Sequence, residues 1–394
     1  MSAAAVLKQA ADSLLHRAVD AGDVPGVAAM VCDRDATLYE GAFGTRRLGA
    51  NKPMTIDSVM WIASMTKPIT CTAVMQLVER GRVGLDDDMG RLVPEIASVQ
   101  VLEGFDAGGA PRLRAPKSPI TLRHLLTHTS GYGYGMWNQP IARYMEITGL
   151  PAASSCQNAA LRLPLLFDPG ERWNYGINIE MVGKVIEALS GSKLGAYLQE
   201  HVLEPLGMYS TGFRITPSMR KRMVRLHERA ADGALTAGDF EVPQEPEFEM
   251  GGGGLYSTAA DYLALVRMFL NRGTGNGNRV LAADTVQQMC SNHLGERRVA
   301  PMRTADASKS NDVEFFPGLA KGWGLGFMIN HERAPTGRCA GSLAWAGLSN
   351  CYFWIDPLSG IGGVYLTQIL PFADVKSLPL YLNFEKQVYG CLFR

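Results

Sequence analysis

Segments with strand character stand at both ends of this chain, and helical periodicity fills most of what lies between them. After an amphipathic N-terminal helix, residues 26 to 44 alternate around Val27-Ala28-Ala29-Met30-Val31-Cys32 and Ala36-Thr37-Leu38-Tyr39. Asp33-Arg34-Asp35 between the two runs completes a predicted β-hairpin. Short apolar runs return late, at Leu325-Gly326-Phe327-Met328-Ile329, Cys351-Tyr352-Phe353-Trp354-Ile355 and Gly362-Gly363-Val364-Tyr365-Leu366-Thr367, before a closing helix around 375 to 390. Strands at both termini with a helical middle imply one α/β (α+β) domain built from both ends and a mainly helical insertion. The expected division is 1–88 with 310–394 against 89–309, with an active site between the two parts.

Within the middle, a helix is expected from Met65 to Arg80, ending at Gly81, and others at 122–127, 157–167, 176–189, 194–206 and 258–272. Residues 104–119, rich in Gly, Pro and Arg, read as a connector, and the polar stretch 291–320 as a long surface loop. Asp86-Asp87-Asp88 reads as a cap or solvated face. No internal repeat is present.

The balance of charge narrows the function. Lys+Arg and Asp+Glu cancel at 38 each, which removes the electrostatic case for nucleic acid or an anionic membrane and favours a small neutral partner. Seven cysteines without a C-x-x-C read as buried thiols of a reducing compartment. The first twenty residues carry Lys8, Asp12, Arg17 and Asp20, so they form an amphipathic helix and not a signal peptide, and no apolar stretch is long enough to span a bilayer. A cytoplasmic protein is expected, with its oligomeric state open.

No nucleophile elbow, phosphate-binding loop, dinucleotide fingerprint or zinc-protease motif occurs. S-x-x-K does, at Ser64-Met65-Thr66-Lys67, Ser190-Gly191-Ser192-Lys193 and Ser218-Met219-Arg220-Lys221. On a helix a lysine three residues on shares the serine's face, and a helix N-terminus favours a developing anion. Ser64 meets both conditions, because it precedes a long apolar helix whose first turn tolerates Pro68. Ser190 lies at a helix C-terminus, where the dipole has the wrong sign, and Ser218 enters a solvated basic face. Taken alone, Ser64 reads either as a helix cap or as a nucleophile.

A serine nucleophile needs a proton acceptor, and a phenol beside an ammonium can serve. Tyr175, in Trp173-Asn174-Tyr175-Gly176, sits in a turn before a helix; most such tyrosines only pack. Trp345-Ala346-Gly347-Leu348 adjoins a strand, where a glycine allows close backbone approach or simply a turn. His124 and His128 have zinc-ligand spacing, but no third ligand is evident and no metal or cofactor is expected. Gly251-Gly252-Gly253-Gly254 lacks the lysine of a phosphate site and reads as a tight turn before a cap at Ser257 or Thr258.

The ordered set Ser64-Met65-Thr66-Lys67, Trp173-Asn174-Tyr175 and Trp345-Ala346-Gly347 resembles the class C β-lactamase and penicillin-recognising serine hydrolase superfamily. More narrowly it resembles the family VIII carboxylesterases. His124-Leu125-Leu126-Thr127-His128-Thr129-Ser130-Gly131, the 252–262 segment and Gly322-Trp323-Gly324-Leu325-Gly326-Phe327 are similar to that group's framework. The resemblance covers about residues 20 to 390. It implies a β-lactamase/transpeptidase-like fold, an antiparallel sheet flanked by helices with a mostly α-helical insertion. It further implies an acyl-enzyme on Ser64, with Lys67 and Tyr175 sharing proton transfer and the backbone N–H groups of Ser64 and Leu348 as oxyanion hole. Trp345, Gly347 and Tyr134 are the substrate contacts it implies, Tyr134 being chosen from Tyr132, Tyr134 and Trp137.

Two departures from the β-lactamase pattern matter. Trp345 replaces the lysine of Lys-Thr-Gly, so a charge clamp for a substrate carboxylate is missing. Ile177 stands where Tyr-x-Asn has its asparagine, and no amide-binding role passes to Asn178. Both favour cleavage of short-chain, neutral carboxylic esters, with weak β-lactam hydrolysis left open. The alternatives are acyl transfer to a preferred alcohol, a true β-lactamase or a DD-peptidase. A non-catalytic binding module is disfavoured by the retained Ser64, Lys67 and Tyr175.

Overall fold

The computed structural model describes residues 2–393. Its centre is a seven-stranded antiparallel sheet whose strands run, in spatial order, Lys321–Trp323, Met328–Asn330, Leu343–Gly347, Cys351–Asp356, Ile361–Leu366, Gly26–Cys32 and Thr37–Gly44. The late strands therefore join the early hairpin through the pairing of Ala28 with Leu366 and Cys32 with Gly362.

Period-two alternation explains why these strands are apolar on both faces. Phe353 meets Tyr262 of the helix Ala259–Leu270, whereas its neighbour Trp354 meets Tyr381 and Phe384 of the helix Ser377–Leu392. Each face of the sheet thus has its own helical cover. The N-terminal helix Ala3–Asp20 joins the C-terminal one, where Tyr39 packs on Phe384 and donates to Asp12. Gly362 lets the helix Ala259–Leu270 approach, since a Cβ there would fall 2.5 Å from Val266.

The chain between the two strand groups holds the helices Thr66–Glu79, Leu122–Leu126, Gln139–Thr148 and Asn178–Ser190, and a continuous run from Leu194 to Leu206 whose middle, Gln199–Leu203, is π-helical. The helix Thr66–Glu79 is buried through residue 77, which accounts for its lack of a polar face.

Three expectations change. The connector at 104–119 holds part of a hairpin, Val101–Phe105 with Pro111–Arg114, whose turn is closed by Asp106 and Ala110. The helix expected at 157–167 shrinks to a 3-10 turn, Asn158–Leu161, because Leu165 exchanges backbone hydrogen bonds with Gln100 and Leu102. The cysteines are all free, but only Cys32, Cys71, Cys156 and Cys351 are buried; Cys290, Cys339 and Cys391 are half-exposed. The hairpin at residues 26 to 44, the long loop before Lys321 and the closing helix agree with the sequence. No helix among the described residues is long and apolar enough to cross a membrane.

The C-terminal helix is locked by a buried ion pair. Arg338 donates to both carboxylate oxygens of Glu385, at 2.7 and 2.6 Å, and Thr336 donates to the same carboxylate. Breaking one side of such a pair leaves an uncompensated charge in the interior. Glu385→Ala is therefore expected to cost about 3–5 kcal/mol in urea unfolding. The double replacement Arg338→Met/Glu385→Leu is expected to cost clearly less, and equal losses would contradict the assignment.

Candidate active site

Ser64 lies in a 3-10 turn, Ala63–Met65, that runs directly into the helix Thr66–Glu79. Ala63 before it has φ 44°, a left-handed backbone that a residue with a Cβ adopts only under restraint. The restraint comes from both sides: Ile62 N donates to Leu255 O, and Tyr262 donates its hydroxyl proton to Met65 O. Pro68 falls in the first helical turn, where its missing N–H costs no helical bond. Ser64 caps nothing, which leaves its hydroxyl to other partners.

Lys67 is wholly buried. Its ammonium donates to Ser64 Oγ at 3.2 Å, Tyr134 Oη at 3.2 Å and the carbonyl oxygen of Gly252 at 2.6 Å. The glycine run that reads as a simple turn therefore supplies the lysine's shortest bond. It is laced along the helix, since Thr70 donates to Gly251 O and Leu255 N donates to Thr66 Oγ1. A Cβ at 252 would lie 2.3 Å from Glu180 Oε2, so a side chain there would have to push the buried carboxylate aside. Thr258 caps the following helix as expected.

Tyr175 is brought to the same place by another route. The 128–134 and 173–178 segments are stitched together where Asn174 N donates to His128 O and Asn174 Nδ2 to Tyr132 O. The Tyr175 ring lies 4.7 Å from the Lys67 ammonium and packs against the rings of His128, Tyr134, Trp137 and Trp345. Its hydroxyl oxygen accepts from Trp345 Nε1 at 2.9 Å. Trp345 is thus buried behind the phenol. Asn178 is occupied with Ser130 and the His128 ring, and the His124 ring caps its own short helix. Burial and the nearby Lys67 charge hold His128 well below the usual histidine range, so its ring is neutral.

A cavity of about 520 Å³ opens beside Ser64. Its polar lining includes Tyr134, Glu180, Gly252, Glu228, Asp306 and Lys309, and Trp137, Met145, Phe240, Met250, Leu348 and Leu370 form apolar walls. Leu348 reaches it because Gly347 ends its strand against the residue before Ala63, where a Cβ would sit 2.2 Å from Ile62 O. Tyr132 is packed behind, with no partner for its hydroxyl. A second concavity of about 410 Å³, beside Glu95, Tyr144 and Arg162, holds none of the candidate residues.

Ser190 ends its helix before the left-handed Gly191 and is bonded to Ser192; Ser218 lies in a short helical turn beside Thr216. Neither lines the cavity. Asp86 pairs with Arg123, and Asp88 caps the turn Met89–Arg91.

One residue escapes the sequence reading. Glu180, in the first turn of the helix Asn178–Ser190, is buried and its Oε1 accepts the Tyr134 hydroxyl proton at 2.8 Å. Burial pushes its carboxyl above the usual range, and the Lys67 charge acts in the opposite direction. Tyr134 is in turn pushed well above the ordinary phenol value, first by burial and then by the Glu180 charge. An acid in a first turn normally answers the helix dipole, which hides this one.

Residues 11–384 match the family model described as Beta-lactamase. The monacolin J acid methylbutanoyltransferase of Aspergillus terreus is 32% identical, over 96% of this chain and 95% of that protein. The lovastatin esterase of Penicillium rubens is 31% identical, over 96% of this chain and 97% of that one. Among solved structures, unliganded simvastatin synthase (LovD) of Aspergillus terreus superposes with a TM-score of 0.83 at 30% identity, covering 98% of each chain. The fold is the β-lactamase/transpeptidase-like one. With the family match running over nearly the whole length, the chain belongs to the beta-lactamase family.

Proposed function

We propose that the protein is a serine acyl-transfer enzyme that takes the acyl group of an ester onto Ser64 and passes it to the hydroxyl of a bulky, mainly apolar alcohol. Water is the competing acceptor. The observation that carries this reading is the 3.2 Å bond between Lys67 Nζ and Ser64 Oγ beside a largely apolar cavity. Relatives named for acyl transfer and for ester cleavage, each matching over nearly the whole chain, support it. They favour transfer over the hydrolysis of short-chain esters that the motifs alone put first. The apolar walls agree, since they offer an organic acceptor contact area and offer water few partners.

In this reading Lys67 relieves Ser64 of its proton as Oγ attacks the acyl carbon. The N–H groups of Ser64 and Leu348 receive the oxyanion, donors of a kind worth roughly 10²- to 10³-fold each. Tyr175 exchanges a proton with the leaving group and then with the incoming alcohol. The Trp345 indole donates to its oxygen and so fixes the phenol, and the Lys67 ammonium lies over its ring. Trp345 therefore acts on the phenol in place of the substrate contact its motif implies.

Ser64→Ala is expected to lower turnover of p-nitrophenyl butyrate by about 10³-fold or more with the fold intact by circular dichroism, and Tyr175→Phe nearly as much. Ser190→Ala and Ser218→Ala should leave it unchanged; retained activity in Ser64→Ala would overturn the assignment. Trp345→Phe keeps the packing but removes the N–H, so kcat should fall about tenfold at unchanged KM.

Transfer itself is read by adding a cyclic secondary alcohol to the same assay. A burst of p-nitrophenol followed by faster steady release and accumulation of the alcohol's butyrate ester is expected. Butyrate as the sole product at every alcohol concentration would leave a hydrolase only.

A further inference from the structure

We infer that Glu180 is the terminus of a proton path that serves Ser64 through Lys67 and Tyr134, and thus a positioning residue for acylation; this rests on the reading of Ser64 as nucleophile. The path is unbroken in the structure: Ser64 Oγ to Lys67 Nζ at 3.2 Å, Lys67 Nζ to Tyr134 Oη at 3.2 Å, and Tyr134 Oη to Glu180 Oε1 at 2.8 Å. Its direction is set at the Glu180 end, where the carboxylate accepts the phenol proton and the phenol oxygen accepts from Lys67. At the Ser64 end the ammonium is the donor, so Lys67 takes the serine proton only after it has given one of its own to Tyr134.

Glu180 differs from the other buried glutamate of the fold. Glu385 is held as an anion by two arginine bonds and a threonine. Glu180 has one phenol, and its Oε2, packed against Gly252, has no hydrogen-bond partner. A carboxylate one bond short, in an apolar setting, is poised to take a proton. Burial raises its carboxyl in keeping with this. The groups that face it are Lys67 from the helix Thr66–Glu79, Tyr134 from the loop before Gly135 and Cys156, whose thiol burial pushes up to about 11. Tyr175 adjoins Tyr134, and His128, neutral, faces Lys67.

The step balances without any added reagent. As the Ser64 Oγ–acyl carbon bond forms, the Tyr134 proton passes to Glu180 Oε1, a Lys67 proton passes to Tyr134 Oη, and the amine so freed takes the Oγ proton. Lys67 is an ammonium before and after. The negative charge moves from Glu180 to the carbonyl oxygen of the tetrahedral adduct, and collapse expels the leaving group with the Tyr175 proton. In deacylation the incoming alcohol gives its proton to Tyr175 while Glu180 returns its own to Ser64 along the same path. As pH falls through the raised Glu180 value the acceptor is already filled, so acylation slows.

The test is the burst rate of p-nitrophenyl butyrate, followed by stopped flow from pH 4 to 9 in the full-length protein. Glu180→Gln, nearly isosteric, should lower that rate about 10²-fold and abolish its acid limb while the KM of steady turnover stays put. Tyr134→Phe should do the same, and the double variant should be no slower than either single one, because all three cut one path. An acid limb retained in Glu180→Gln, or losses that multiply in the double variant, would overturn the inference. If Glu180→Gln does not fold, Tyr134→Phe decides it alone, by loss or retention of the limb. Ser64→Ala separates the two levels: activity surviving there sinks the nucleophile itself, whereas an inactive Ser64→Ala beside an unchanged limb in Glu180→Gln sinks only the path.

Discussion

A lysine ammonium with no exposure to water organises this molecule. Removing such a charge from solvent costs several kcal/mol unless its protons find acceptors, and Lys67 has three protons and three acceptors. Each acceptor comes from a different part of the chain: the turn that leads into its own helix, the loop at 134, and the glycine segment at 252. The requirement that all three converge accounts for the bonds that tie the glycine run to the helix at Thr66 and Thr70. The helix itself, buried along most of its length, is the rigid member on which the other segments are aligned.

Two phenols then meet one cation in different states. Tyr134 gives its proton to a carboxylate and accepts from the ammonium, so its oxygen is saturated by a fixed chain of bonds. Tyr175 receives an indole N–H and lends only its ring face to the ammonium. The same residue type thus meets Lys67 once through its oxygen, as a hydrogen-bond acceptor, and once through its ring face. What separates them is the sign of the partner behind each ring, an anion for Tyr134 and a neutral donor for Tyr175.

Much of this was open to a reader of the sequence, for identifiable reasons. The hairpin at residues 26 to 44 and the strands Cys351–Asp356 and Ile361–Leu366 announced themselves through runs of apolar residues between turns, whereas the run at 325–329 is a strand only from Met328. Helix polarity set Ser64 apart from Ser190, and a basic surface set it apart from Ser218. The hairpin at 101–114 did not, because its Gly, Pro and Arg content is that of a linker and its register depends on Leu165, far along the chain. Glu180 was hidden by an ordinary helix-start position, and the Gly252 carbonyl by the fact that a backbone acceptor leaves no mark on residue type. The Trp345 indole gave no sign of its acceptor either: it donates to Tyr175, whereas the buried Trp173 and Trp354 indoles have no hydrogen-bond partner.

The tryptophan also bears on what the site selects. In the related β-lactamase pattern the third motif carries a lysine toward the substrate carboxylate. Here the corresponding side chain is a neutral donor spent on the phenol, and the cavity beyond Ser64 is walled by Trp137, Met145, Phe240, Met250 and Leu370. Recognition then passes from a charge clamp, which discriminates by sign, to apolar contact, which discriminates mainly by size and shape and rejects a close analogue by only about 1–3 kcal/mol. On the proposed reading of Ser64, a site of that kind tolerates a range of acyl donors and acceptors. The lining also holds Lys309, Asp306 and Glu228, so charge is still represented in the cavity although the lysine of the third motif is not, and the exchange for tryptophan changes where a cation stands without removing cations from the wall.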